Sequence, residues 1–137
     1  MLGLDYGAVR CGCAISDPTG TIVTPLSALE PDLELVAELV ARRSADRVVI
    51  GLPVSMDGTE GPQAAVTRDF ASALAARLEV PVEAYDERLT TRMAQRSARA
   101  GASADEDSLA AAHMLESYLA SQGGQATPDA EPGGRRT

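Results

Sequence analysis

Carboxylates gather at three places in this chain: Asp5 closes one short apolar segment, Asp86-Glu87 closes another, and Asp105-Glu106-Asp107 opens a helical pattern. Carboxylates brought within several ångström of one another repel, which either raises one pKa or demands a cation. Oxygen-only ligands suit Mg²⁺ or Mn²⁺, which keep several waters and complete their shells with phosphate oxygens. Two such ions can stabilise both the attacking and the leaving oxygen of a phosphodiester, so these acids point to hydrolysis of nucleic acid. Each place also has a plainer reading. Asp5 can be a turn residue before Tyr6-Gly7. The strand pleat sends Asp86 and Glu87 to opposite faces, so at most one enters a cleft. The acidic triplet can be favourable charge at a helix N-terminus, where only one member needs to do more.

A second pattern is basic. Arg88, Arg92, Arg96 and Arg99 fall within roughly 80° of one helical face at about 100° per residue. They lack acidic partners at four residues, which favours tracking of phosphates over a solvated face. Arg10 is a weaker candidate for the same task. Gly7, Gly12 and Gly58 allow close backbone approach to a phosphate, a signal that turns produce as often. Cys11 and Cys13 read as core residues sharing one face of a strand, and His113 as packed or exposed on the last helix.

These residues need a scaffold. The 137 residues, 45% hydrophobic and 23% charged, suit one domain. Strands are expected over Met1 to Asp5, Arg10 to Ser16 and Thr21 to Pro25, a meander punctuated by Tyr6-Gly7-Ala8-Val9 and Asp17-Pro18-Thr19-Gly20. Asp32 to Arg43 follows as a helix, with Leu33, Val36, Ala37 and Val40 at helical spacing. The β-branched run Arg47 to Pro53 reads as a central parallel strand. Pro62 opens a helix to Leu78 with Val66, Phe70, Ala73, Leu74 and Arg77 at spacings of three and four. Val80 to Asp86 is the fifth strand. A helix from Thr90 or Thr91 to about Ala100 comes next, and the last runs from Ser103 to about Ala120 with Leu109, Ala112, Leu115 and Leu119 on one side. The result is an α/β fold with a mixed five-stranded sheet, an antiparallel meander leading into parallel βαβ units, flanked by helices. In such sheets chemistry gathers beyond the carboxyl ends of the parallel strands. Residues 1–121 are expected to form the domain, and Gln122 to Thr137, rich in Gly, Gln, Pro, Asp and Arg, to be a disordered tail.

Composition removes other classes. The formal net charge is −8, and all 12 basic residues are Arg, which counts against a non-specific duplex coater. No apolar run approaches a membrane span and no secretory signal is visible, so a cytoplasmic protein with no membrane partner is expected. Two Cys and one His cannot build a four-ligand zinc site. No Trp and a single Phe leave little for base-stacking platforms.

The same residues carry a resemblance to the YqgF family of RNase H-like nucleases, also called RuvX, over roughly residues 1–120. The matching motifs are Leu2-Gly3-Leu4-Asp5-Tyr6-Gly7; Val49-Ile50-Gly51-Leu52-Pro53 with Met56-Asp57-Gly58-Thr59-Glu60; Asp86-Glu87-Arg88-Leu89-Thr90-Thr91; and Asp107 with Ala110-Ala111 and Leu115-Glu116-Ser117-Tyr118-Leu119. The resemblance implies an RNase H-like fold, with Asp5, Glu87 and Asp107 as a catalytic, metal-binding triad for Mg²⁺ or Mn²⁺. It implies a nuclease described both as a Holliday-junction resolvase and as the enzyme that processes the 5′ end of pre-16S ribosomal RNA, the second being favoured here. Arg10, Arg88, Arg92 and Arg96 would then bind the substrate strand. Implied partners are single-stranded or precursor ribosomal RNA, or DNA in the alternative, and the ribosomal small subunit, with the protein a monomer or weak dimer. Two features depart from the family pattern: Asp105-Glu106 stand where a basic segment is common, and Ala8 where Thr is frequent. A second class is a non-catalytic RNA-binding ribosome-assembly factor whose acids hold a structural metal. A third, an actin-like ATPase suggested by Asp5-Tyr6-Gly7, would need a second lobe that 137 residues do not supply.

Overall fold

The structure is a computed structural model and describes residues 1–55, 57–89 and 106–125. Its elements are β1 (Leu2–Asp5), β2 (Cys11–Ser16), β3 (Val23–Leu29), α1 (Leu33–Arg43), β4 (Val48–Leu52), α2 (Pro62–Arg77), β5 (Val82–Asp86), a 3₁₀ turn (Glu87–Leu89) and α3 (Glu106–Gln125). The five strands form one sheet in the order β3-β2-β1-β4-β5. Strand β1 pairs antiparallel with β2 and parallel with β4, which in turn is parallel to β5. This is the expected mixed sheet. The expected helix over residues 90–100 lies outside the described residues.

Alternation along the strands separates two cores. Leu2 and Leu4, Cys11 and Cys13, and Val48 and Ile50 face α1 and α2, where they pack with Val36, Leu39, Val40, Phe70 and Leu74. Ala14, Val49 and Tyr85 face the other way and pack against Ala111, Met114, Leu115 and Tyr118 of α3. β4 is buried at every position, which is why its sequence reads as an unbroken apolar run. Gly3 lets α3 come close: a Cβ there would stand 3.0 Å from that of Leu115. At the end of the sheet opposite the carboxylates, Arg47 bonds Glu83 at 2.9 Å and the Tyr118 hydroxyl at 3.0 Å, tying β5 to α3.

Several boundaries differ from the sequence expectation for physical reasons. β3 begins at Val23 because the Asp17 carboxylate accepts the N–H groups of Thr21 and Ile22, extending the turn. It then continues through Pro25 to Leu29, since an edge strand tolerates a residue with no N–H to donate. Asp32 is the N-cap of α1, accepting from Glu34 and Leu35, and Ser44 ends that helix in the left-handed region at φ 54. In α2 the buried face is Ala64, Thr67, Phe70 and Leu74, whereas Val66 is 47% exposed and Ala73 is exposed. α3 buries Ser108, Ala111, Ala112, Met114, Leu115 and Tyr118, with Leu109 and Leu119 only partly covered. The helix runs to Gln125, so residues 122–125, expected in the disordered tail, are helical, no proline falling within the helix; the rest of that tail lies outside the described residues. No helix among the described residues is long and apolar enough to cross a membrane.

The rotation of α2 can be tested directly. Leu74→Ala, at a fully buried position, should cost about 2–5 kcal/mol in urea denaturation. Val66→Ala should stay within roughly 0.5 kcal/mol of the wild type, and the reverse ranking would place the wrong face of α2 against the sheet.

Candidate functional site

The parallel strands deliver their carboxyl ends to one edge, β1 ending on Asp5 and β5 on Asp86, which pairs with Leu52 of β4. Each acid is aimed by its surroundings. Asp86 turns to Arg88, with Arg88 Nη2 2.7 Å from Asp86 Oδ2, and that guanidinium holds its carboxyl below the usual range. The chain then tightens into the 3₁₀ turn, and Glu87 folds back over β4. Gly51 makes this possible: a Cβ there would stand 2.6 Å from Glu87 Oε2.

Asp5 receives Glu87 on one side and Asp107 on the other. Burial pushes the Asp5 carboxyl up to about 7; the charge of Glu87, a hydrogen bond shared with Glu87 and the charge of Asp107 add to the effect in that order. Asp107 comes from the first turn of α3. Its backbone sits directly on β2, because a Cβ on Gly12 would be 2.0 Å from the Asp107 carbonyl oxygen. Gly12 is in turn the register partner of Asp5. Two glycines on the strands flanking β1 thus make room for the two carboxylate-bearing segments that approach Asp5.

Three of the acids singled out in the sequence are therefore brought to one end of the sheet, with Glu87 hydrogen-bonded to Asp5 and Asp107 acting on it through its charge, and the others are not. Glu106 is exposed, and Asp105 lies outside the described residues. Asp107 Oδ2 is 3.9 Å from Arg10 Nε, both side chains about half exposed, which puts one of the candidate arginines at the edge of the cluster. Arg88 bonds Asp86 and reaches the Ser55 carbonyl at 3.4 Å, linking β5 to the loop after β4. Arg92, Arg96 and Arg99 lie outside the described residues. The Cys11 thiol is pushed up by its contact with Cys13, by burial, and by the charges of Asp5 and Asp107, so it remains a protonated core group. His113 is largely covered and pairs with Glu116 through Nδ1.

The donor set suits a hard divalent cation, three carboxylates and no soft ligand, with the Asp5 carboxyl pushed up first by burial and then by the neighbouring negative charge. As they stand, no three His, Cys, Asp or Glu side chains among the described residues are close enough to wrap an ion.

The sequence reading assigned no role to Gly51 and two serines, although Gly51 and Ser117 stand inside the motifs of the family resemblance. A glycine inside an otherwise β-branched strand was the available signal for the first. Ser117 Oγ donates to the Leu89 carbonyl at 2.9 Å and lies 3.1 Å from the Tyr85 hydroxyl, fastening the turn that carries Glu87 to α3. Ser108 Oγ accepts the Cys13 N–H at 3.1 Å. Neither serine has a sequence signal that sets it apart from a helix-surface hydroxyl.

The family profile described as "RuvX: Holliday junction resolvase" matches residues 1–121. The chain belongs to the RuvX family. Similar relatives, each described as "Putative pre-16S rRNA nuclease", include one from Chloroflexus aggregans, 43% identical and covering 87% of this chain and 92% of its own. Another, from Anaeromyxobacter sp. (strain K), is also 43% identical, over 86% of this chain and 94% of its own. Among solved structures, T. thermophilus RuvC in complex with a Holliday junction substrate superposes with TM-score 0.60 at 15% identity, covering 92% of this chain and 98% of that one. The Fowlpox virus resolvase bound to junction DNA gives 0.52 at 13%, over 88% and 98%. At such identities these likenesses establish the fold, which is RNase H-like. The RuvX-family chain carries Asp5 and Asp86 at the carboxyl ends of its parallel strands.

The Asp5 environment makes stability pH-dependent with a defined sign. A carboxyl held above its ordinary 3.8 contributes stability while protonated, in full below that value, and loses it as pH rises through about 7. In chelator, Asp5→Asn should raise the melting temperature at about pH 8 by roughly 4 °C or more, the shift that about 1 kcal/mol produces in a small domain. The gain should shrink toward zero near pH 4. A gain constant across this range would contradict the assigned burial of Asp5.

Proposed function

We propose that this protein is a divalent-cation-dependent nuclease that hydrolyses phosphodiester bonds in RNA and acts on the 5′ end of precursor 16S ribosomal RNA. The observation that carries the proposal is the placement of Asp5, Glu87 and Asp107, from three separate elements, at one end of the sheet, where the latter two act on the Asp5 carboxyl. The description shared by relatives at 37–43% identity supports the choice of substrate. Asp5, Glu87 and Asp107 would hold Mg²⁺ or Mn²⁺. A cation there supplies Lewis-acid polarisation of the phosphoryl oxygen and a lower pKa for water. Water would add to phosphorus and give up a proton, the P–O bond to the leaving oxygen would break, and that oxygen would take up a proton, so that the proton count is conserved. Asp5 must give up its proton before it can serve as an anionic ligand, so activity rises with pH toward and above 7.

Arg10, beside Asp107, and Arg88, Arg92 and Arg96 hold the strand electrostatically in a chain that is otherwise acidic. This reading places the protein in the cytoplasm, working on the ribosomal small-subunit precursor as a monomer or weak dimer. The family description and the likeness to RuvC in complex with a Holliday junction favour a second reading, cleavage of branched DNA by the same carboxylates.

Both readings meet in one assay. End-labelled precursor RNA and a four-way DNA junction are incubated with Mn²⁺ or Mg²⁺ and wild-type, Asp5→Asn or Asp107→Asn protein. RNA cleavage should occur with the wild type and fall in both variants by more than the ~100-fold typical of losing an outer-shell partner. Symmetric cuts in the junction with RNA untouched would select the second reading. RNA binding without turnover would leave only the assembly-factor class. Arg92→Ala and Arg96→Ala should each weaken RNA binding and reduce the log–log salt slope by about 1.

A further inference from the structure

Asp107 needs something to hold it. Its ion pair with Arg10, at 3.9 Å between half-exposed side chains, constrains its position weakly. Its backbone, by contrast, is seated on Gly12 without room for a methyl group, and Gly12 is the register partner of Asp5. The fixed element next to this seat is the bond from the Cys13 N–H to Ser108 Oγ, 3.1 Å long, buried, and joining residues 95 apart in sequence. Ser108 is wholly buried, and the bond lies where the register of β2 against β3 shifts between Cys11 and Cys13. A hydroxyl in a dry interior meeting a backbone donor gives a bond that water does not compete with.

We propose that Ser108 is a positioning residue for the cation site: by accepting the Cys13 N–H it fixes the first turn of α3 on β2 and so sets the separation of Asp107 from Asp5. The inference rests on the nuclease reading of these carboxylates. Ser108 touches neither cation nor substrate; it acts through the residue beside it. The alternative is a hydroxyl that only satisfies a buried donor, as the Thr67 hydroxyl does by donating to the Gln63 carbonyl at 2.9 Å within α2. Both roles lower stability when the hydroxyl is lost, but only the first changes cation affinity in protein that remains folded.

The test is titration of Mn²⁺ alone, followed by calorimetry at a temperature where every variant is folded. Ser108→Ala should weaken Mn²⁺ binding by about 10-fold or more, the usual cost of losing an outer-shell partner, and Ser108→Thr, which keeps the acceptor, should recover most of it. Thr67→Ala should lower the melting temperature and leave Mn²⁺ affinity as in the wild type. Should Ser108→Ala fail to fold, Ser108→Cys, close in size and a poor acceptor, replaces it in the comparison. Wild-type affinity in folded Ser108→Ala or Ser108→Cys would overturn the proposal while leaving the nuclease reading intact. A wild-type protein whose Mn²⁺ binding is absent, or indifferent to Asp5→Asn, would overturn both.

Discussion

Burial of one carboxyl beside two other acids is the constraint around which this protein is arranged. Asp5 lies at the carboxyl end of a central strand, partly buried, with Glu87 in hydrogen-bonding contact and Asp107 within reach of its charge. Below about pH 7 Asp5 keeps its proton in that setting, and among the described residues no arginine is buried beside it to favour the charged form: the chain has no lysine, and the arginine nearest among the described ion pairs, Arg10, is half exposed. The charge must be met by a proton or by a cation from solution. Such a site stores repulsion in the free state and releases it on binding, which couples cation uptake to proton loss.

The rest of the fold serves to bring acids that repel into one place. Two cores hold the sheet rigid from both faces, with β4 buried throughout. On this base the strands beside β1 give up their side chains where the other acids must approach, at Gly12 for the start of α3 and at Gly51 for the Glu87 carboxylate. α3 then acts as a bar across the sheet. Ser108 fastens one end to β2, Ser117 fastens the turn after β5, and Tyr118 joins Arg47 and Glu83 at the opposite edge. Convergence is thus built from backbone proximity and buried hydrogen bonds, with the surface ion pairs adding little.

Much of this was legible in the sequence because it follows from local periodicity and from where polar residues fall at strand ends. The succession of strands and helices, the buried β4 run and the position of Asp5 needed only alternation and turn signals. Choosing between Asp86 and Glu87 required more. The resemblance to the RuvX family indicated Glu87, and the structure supplies the geometry: Arg88 draws Asp86 aside while Gly51 admits Glu87. The face of α2 was misjudged at Val66 because its strongest apolar residues share no single stripe, and a small residue, Ala64, and a threonine, Thr67, occupy the buried side instead. The serine anchors were invisible because their partners, the Cys13 N–H and the Leu89 carbonyl, are backbone groups many residues away. Tertiary hydrogen bonds of that kind leave no periodic trace.

The central claim, that a proton on the carboxylate cluster stands where a divalent cation would bind, is tested most directly by calorimetric titration of Mn²⁺ in buffers of different ionisation enthalpy. With Asp5 held at about 7, binding should release about one proton per ion near pH 6 and almost none near pH 9, with release lost in Asp5→Asn. Binding with no proton release near pH 6, or with the same release in Asp5→Asn, would contradict the account.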